Sequence, residues 1–198
     1  MLYSMHFVWV YNTYQRQLKH SNFSGVKKGM KNYFLIILSL LLLGSSCSNV
    51  GDTAPSFKLK TADGYVLNSN NLQDKIVVVN VWATWCPTCL QEMPALNRLQ
   101  AKYAEDTSIV FLGLCEEGAN DMNQILKRFP FNYHQVANAG KYSDKLQTRV
   151  VKTFPQNLII NNKFEIVFEV SDGSFDIFRS LDEKITELIK NREKNISS

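Results

Sequence analysis

The chain has 198 residues, room for one ordinary domain rather than two. Its composition, 45% hydrophobic and 20% charged, is that of a globular protein. The net charge of +4 is placed unevenly: residues 1–47 carry Arg16, Lys19, Lys27, Lys28 and Lys31 and no acid, leaving 17 basic against 18 acidic side chains in residues 48–198. A nucleic-acid-binding domain carries its basic charge in the folded part, so no nucleic-acid partner is expected.

Lys27, Lys28 and Lys31 precede an apolar run, Tyr33 to Leu43, that ends in Gly44-Ser45-Ser46-Cys47. A basic stretch, a short apolar core and small residues are the parts of a secretory signal. The run is shorter than the roughly 20 residues a helix needs to cross a bilayer, which favours a cleaved signal over a permanent span. Leu43-Gly44-Ser45-Ser46-Cys47 resembles the end of a bacterial lipoprotein signal, which implies lipidation of Cys47. An ordinary signal with an incidental Cys47 is the alternative. Met30, directly before Lys31, is the expected true start, so residues 1–46 read as leader and signal and 47–54 as a tether. Residues 55–191 read as the domain and 192–198 as a tail.

Ser56–Lys60 and Gly64–Leu67 predict a short hairpin across Asp63-Gly64. The run Ile76–Trp82 is nearly continuous in apolar residues, as in a strand buried on both faces, and Ile109–Leu114 is a second. Between them Leu90, Met93, Leu96, Leu99 and Tyr103 recur at helical spacing and predict a crossover helix over 87–104. Met122, Ile125, Leu126 and Phe129 predict another helix over 120–129. Leu158–Ile160 and Phe164–Val170 read as a hairpin whose second strand lies near an edge. A closing helix is expected behind the capping box Ser180-x-x-Glu183. The order β-α-β-α-β-β-α with a hairpin in front predicts an α/β fold, a central sheet with helices on both faces.

The informative segment is Trp82-Ala83-Thr84-Trp85-Cys86-Pro87-Thr88-Cys89, at the end of a buried strand and the start of a helix. A Cys-x-x-Cys there reads as a redox pair. Unpaired amides and the helix dipole favour negative charge at that place, so Cys86 is predicted to be the exposed thiolate nucleophile. Cys89, one turn in, is predicted to be more buried and to resolve the mixed disulfide. Half of a metal site is the alternative, but zinc takes four N/S ligands. Only His134 and Cys115 accompany the pair in the exported part, so no metal is expected.

These motifs resemble the thioredoxin superfamily, and within it the TlpA/ResA-like extracytoplasmic thiol–disulfide oxidoreductases. Gly51-Asp52-x-Ala54-Pro55-x-Phe57 resembles the opening of the TlpA, redoxin and peroxiredoxin group, and Glu92-Met93-Pro94 the Glu-x-Pro of the ResA-like branch. The resemblance covers residues 51–190. It implies a thioredoxin fold, a central mixed sheet carrying an additional N-terminal β-hairpin. It implies that Pro155 is the cis-proline where substrate peptide docks, and that Pro94 kinks the active-site helix. Glu92 is implied to tune the thiols or relay a proton to Cys89; a solvated first-turn glutamate is the equal alternative.

The sequence departs from that branch at Cys-Pro-Thr-Cys, where proline usually precedes the second cysteine, and at Phe154 and Gln156 around Pro155. Direction of electron flow and substrate are therefore open at this point. Cys115 reads as a small core residue or as a third thiol beside the pair. Trp82 and Trp85 read as packing around the site, and Glu116-Glu117 as a solvated loop. The expected function is disulfide exchange on exported proteins, in the reducing direction, by a lipid-anchored, periplasm-facing domain. A membrane thiol reductase would supply electrons, since no flavin or nicotinamide fingerprint is present and no cofactor is expected. A thiol peroxidase and a copper-binding chaperone are the alternatives. Ala83 and Val79 stand where a peroxiredoxin has a hydroxyl residue and a proline.

Overall fold

The computed structural model describes residues 51–146, 152–171 and 176–196. The leader, Met30 and Cys47 lie outside the described residues. The chain divides at Ser46/Cys47 into two units, and the described residues all belong to the second.

Two strands, β1 (Lys58–Lys60) and β2 (Val66–Asn68), pair antiparallel as a hairpin, and a single 3-10 turn over Ser69–Leu72 follows. Then come β3 (Ile76–Trp82), α1 (Pro87–Lys102), β4 (Ile109–Cys115), α2 (Ala119–Leu126), β5 (His134–Val136) and α3 (Gly140–Leu146). The chain closes with β6 (Gln156–Ile160), β7 (Ile166–Ser171) and α4 (Ile177–Ile196). The main sheet has the order β5-β4-β3-β6-β7, with β3, β4 and β5 parallel and β6 and β7 antiparallel to their neighbours.

All seven residues of β3 are buried, because successive side chains enter opposite cores. Ile76, Val78 and Trp82 join Met93, Leu96 and Leu99 of α1 and Leu181 and Ile185 of α4. Val77, Val79 and Val81 join Phe57, Tyr142, Leu146 and Phe164 on the other face. Residues on one helix stripe and one strand face thus share one water-free space, the dominant stabilising contribution in such a fold.

Several boundaries differ from the sequence reading. Residues 51–54, read as tether, belong to the fold: Gly51 N–H donates to Ile166 O at 2.6 Å, Ala54 N–H to Phe164 O at 2.8 Å, and Thr53 pairs with Glu165. The tail read from residue 192 continues α4 to Ile196, and Arg192 donates to Ser108 Oγ at 2.5 Å. The cap of α4 is Asp176, whose Oδ1 takes the Arg179 amide at 3.1 Å; Ser180 and Glu183 lie inside the helix, with Glu183 paired to Arg179. The aspartate accepts from the amide three residues on, as an N-cap does, and starts the helix one turn before the expected serine. β5 and α3 went unpredicted; β5 is three residues with a buried glutamine, and neither carries an apolar period of useful length.

Candidate active site

β3 ends at Trp82 and the chain turns: Cys86 N–H donates to Ala83 O at 3.1 Å, and α1 begins at Pro87. Proline at the first helical position costs nothing, since that amide has no partner in a helix. Cys86 is the N-cap, and its Sγ accepts from the Cys89 amide at 3.2 Å and lies 3.4 Å from Thr88 Oγ1. Cys86 and Cys89 form a disulfide. The Cys89 amide and the aligned peptide dipoles of α1 point at Cys86 Sγ, a position where a helix start favours negative charge.

Exposure does not separate the two cysteines as expected. Cys86 is 3% exposed and Cys89 2%. The exposed group is Trp85, at 66%, which stands out from the turn and meets the Phe154 ring edge-on at 5.5 Å. Trp82 alone fits the packing expectation: it is fully buried and its Nε1 donates to Gln135 Oε1 at 3.1 Å.

The Phe154–Pro155 peptide bond is cis, and Pro155 leads directly into β6 beside β3. Pro94 lies inside α1, where its missing N–H leaves the carbonyl of Leu90 without that donor. Lys152, just before this loop, bridges Glu116 at 2.7 Å and Asp144 at 2.6 Å, and its ammonium lies 5.5 Å from the Phe154 ring centroid.

Glu92 is neither in the first turn of α1 nor solvated: it is 7% exposed. Its Oε2 accepts from Asn157 Nδ2 at 3.1 Å, and Asn157 Oδ1 accepts from Asn80 Nδ2 at 2.9 Å. Its Oε1 has no hydrogen-bond partner among the described residues. Burial raises the Glu92 pKa above the ordinary carboxylate value, against the opposing pull of the Asn157 bond. The negative charge is felt by the buried phenol of Tyr133, whose own pKa is raised chiefly by burial and further by Glu92.

Cys115 is free and fully buried, level with Trp82 across the β3–β4 pair. Burial first, and the carboxylates of Glu117 and Glu116 after it, push its thiol up to about 12. A thiol in that condition offers no thiolate for capture of the pair. Glu117, read as solvated, is half-buried and its Oε2 takes the Thr84 amide at 2.8 Å and the Cys115 thiol at 3.6 Å. Sequence alone gave no signal for Asn80, Asn157, Glu117 or Lys152, because each acts through a partner far away in the chain. Among the described residues no group of three or more His, Cys, Asp or Glu is placed to hold a metal ion.

Residues 50–168 match the AhpC/TSA family. The thioredoxin-like protein YneN of Bacillus subtilis is 35% identical over 94 residues, 41% of this chain and 55% of that protein, so the chain spans about half of that relative. The thiol–disulfide oxidoreductase ResA of Halalkalibacterium halodurans is 26% identical over 145 residues, 73% of this chain and 80% of the relative. A thiol:disulfide interchange protein of the thioredoxin family from Chlorobium tepidum matches with a TM-score of 0.56 at 23% identity, over 66% of this chain and 94% of the other. A secreted disulfide oxidoreductase from Mycobacterium tuberculosis matches at 0.55 and 19% identity, over 67% and 96%. At these identities the structures speak for the fold, a thioredoxin fold with its mixed sheet between helices. The family match, the ResA likeness and the bonded cysteine pair at the head of α1 together establish that the chain belongs to the AhpC/TSA family, as a TlpA/ResA-like thiol–disulfide oxidoreductase of the thioredoxin superfamily.

Proposed function

We propose that this protein reduces disulfides in exported proteins outside the cytoplasm, cycling between a Cys86–Cys89 disulfide and the dithiol. The observation that carries this reading is the disulfide at the start of α1, with a buried carboxylate one helical turn beyond it and a cis-proline loop on the neighbouring strand. The Cys86 thiolate attacks one sulfur of a substrate disulfide, breaking the substrate S–S bond and expelling the other sulfur as thiolate. Cys89 then gives its proton to Glu92 and attacks Cys86 Sγ, which forms the internal disulfide and releases the second substrate thiolate. Two electrons pass to the substrate. A dithiol reductase in the membrane returns them, and Glu92 returns its proton to Cys89.

Pro155 borders the groove in which the extended substrate segment docks, and Trp85 and Phe154 supply its apolar wall. The basic stretch, apolar run and small residues before Cys47 support export and a lipid anchor at that cysteine. The substrate class includes exported proteins with wrongly formed disulfides and apocytochrome c. No organic cofactor or metal takes part in this cycle, and Ala83 offers no hydroxyl to activate a peroxide.

The test is the reduction potential of the pair, equilibrated against thiol–disulfide buffers. A value near or below about −270 mV supports a reductase, and one near −120 mV makes the protein an oxidant and overturns the direction. Absence of a reversible couple overturns the redox reading itself.

A further inference from the structure

The exchange cycle above makes no use of the two acids that follow β4, yet each reaches one of the loops that flank the disulfide. Glu117 holds the loop that carries Cys86. In the turn closed by Cys86 N–H to Ala83 O, the Thr84 amide has no partner within the turn, and Glu117 Oε2 takes it at 2.8 Å. The Cys115 thiol donates to the same oxygen at 3.6 Å. Because its pKa lies at about 12, that thiol stays a neutral donor throughout the working range rather than a second negative charge beside the carboxylate.

Glu116 holds the other loop. Its Oε2 accepts from Lys152 Nζ at 2.7 Å and from Ser143 Oγ at 3.4 Å, and Lys152 stands three residues before Pro155, over the Phe154 ring. A Cβ on Gly140 would lie 2.7 Å from Glu116 Oε1, so glycine at the head of α3 leaves the space this carboxylate fills. Bonds from an N–H to a carboxylate are about twice as strong as neutral ones, and a misplacement of roughly 1 Å in a reacting group can cost on the order of a hundredfold in rate. Two adjacent side chains on one strand end therefore set the spacing between nucleophile and docking loop.

We propose that Glu117 and Glu116 are positioning residues of the redox site, Glu117 fixing the Cys86 loop through the Thr84 amide and Glu116 fixing the Pro155 loop through Lys152. The proposal rests on the disulfide-exchange reading and deepens it. Neither acid touches the reacting sulfurs.

The test compares the full chain with E117A and E117Q. Two quantities are read: hydrogen exchange of the Thr84 amide, and the rate at which dithiothreitol reduces the Cys86–Cys89 disulfide. E117A is expected to speed the amide exchange and to slow reduction by about tenfold or more, whereas E117Q, which keeps an acceptor oxygen at the same reach, stays within about threefold of the parent in both. A fold-only role would not be rescued selectively at one amide and in one rate. E117A reacting at the parent rate overturns the proposal, and so does E117Q as slow as E117A, since charge rather than the bond would then matter. If E117A does not fold, E117D, one methylene short of the amide, takes its place with the same expectation.

For the second half, E116A is read by insulin reduction: KM is expected to rise several-fold with kcat held, and an unchanged KM overturns that part. A parent protein without any reversible Cys86–Cys89 couple would sink the redox reading instead, and the Thr84 exchange data would still report on the Glu117 bond.

Discussion

Asn157 and Glu92 meet in the core one helical turn beyond Cys89: Asn157 Nδ2 donates to Glu92 Oε2 at 3.1 Å, while Asn157 Oδ1 takes the amide of Asn80 at 2.9 Å. Asn80 and Asn157 are direct partners across the β3–β6 pair, so the sheet register itself sets where this carboxylate can be held. The other oxygen, Oε1, finds no donor among the described residues, and burial raises the pKa. A group that binds a proton more tightly in the folded state stabilises the fold below its unfolded pKa, and that contribution is lost as pH rises through the folded value.

Glu92→Gln should therefore make the protein more stable at pH 7.5, by about 1–3 kcal/mol, the cost range of a buried charged or unsatisfied polar group. The gain should shrink as pH falls towards the ordinary glutamate value of 4.5 and below. Urea unfolding at pH 7.5 and pH 4 measures both. The same variant should slow turnover, because Cys89 loses its proton acceptor, and should flatten the pH profile of reduction on its acid side. Equal stability at both pH values would mean that the carboxylate is not desolvated.

Removing the donor has the opposite sign. Asn157→Leu leaves Glu92 with neither oxygen partnered and frees Asn80 as well, so it should destabilise by about 2–4 kcal/mol at pH 7.5, and by less at pH 4, where Glu92 can protonate. Thermal unfolding of E92Q, N157L and the double variant forms a cycle. The coupling between the sites should be large, since the two residues touch.

In the proposed cycle the two cysteines take different parts despite nearly equal burial. Cys89→Ser should accumulate mixed disulfides with substrate proteins through Cys86, visible as reductant-sensitive bands on a gel, and Cys86→Ser should accumulate none. Bands of similar strength from both variants would reverse the assignment of attacking and resolving sulfur.

Cys115 should be silent in that experiment. With its thiol pushed up to about 12, it should resist iodoacetamide at pH 8 in the reduced native protein and react only once the chain is unfolded. Peptide mapping by mass spectrometry reads the outcome, and labelling at a rate close to that of Cys86 would contradict the buried, neutral thiol.

Phe154→Thr removes one ring of the Trp85–Phe154 edge contact, worth about 0.5–1.5 kcal/mol. If Phe154 lines the docking site proposed above, kcat/KM should change for insulin while reduction by dithiothreitol changes little. Trp85 emission in the same variant reports whether the indole has moved.

What the sequence reveals here follows the range of the forces involved. β3 and β4 are legible because both faces of each are buried, and α1 because its apolar residues keep helical spacing up to the core. The cysteine pair is legible because its two members are three residues apart. The surroundings are not: Glu92 meets Asn157 across 65 positions, and Thr84 meets Glu117 across 33. Whether a glutamate on a helix faces water or core depends on the helix's rotation about its axis, while Glu116 and Glu117, in the loop after β4, are drawn in by Lys152 and the Thr84 amide, partners 36 and 33 positions away. β5 illustrates the other limit, since three residues around a buried Gln135 carry no period at all.

The bond from Gly51 to Ile166 fixes how the domain is presented. Ile166 lies level with Ile160, and Ile160 with Val77, near the start of β3, whereas the disulfide follows its far end. Chain arriving at Gly51 thus joins the fold at the opposite end of the central strand from the reactive sulfurs, separated by roughly 16 Å along β3 at about 3.3 Å per residue. A lipid anchor at Cys47, as proposed above, would hold the domain from that end of β3 and leave the disulfide end facing proteins that approach through solvent.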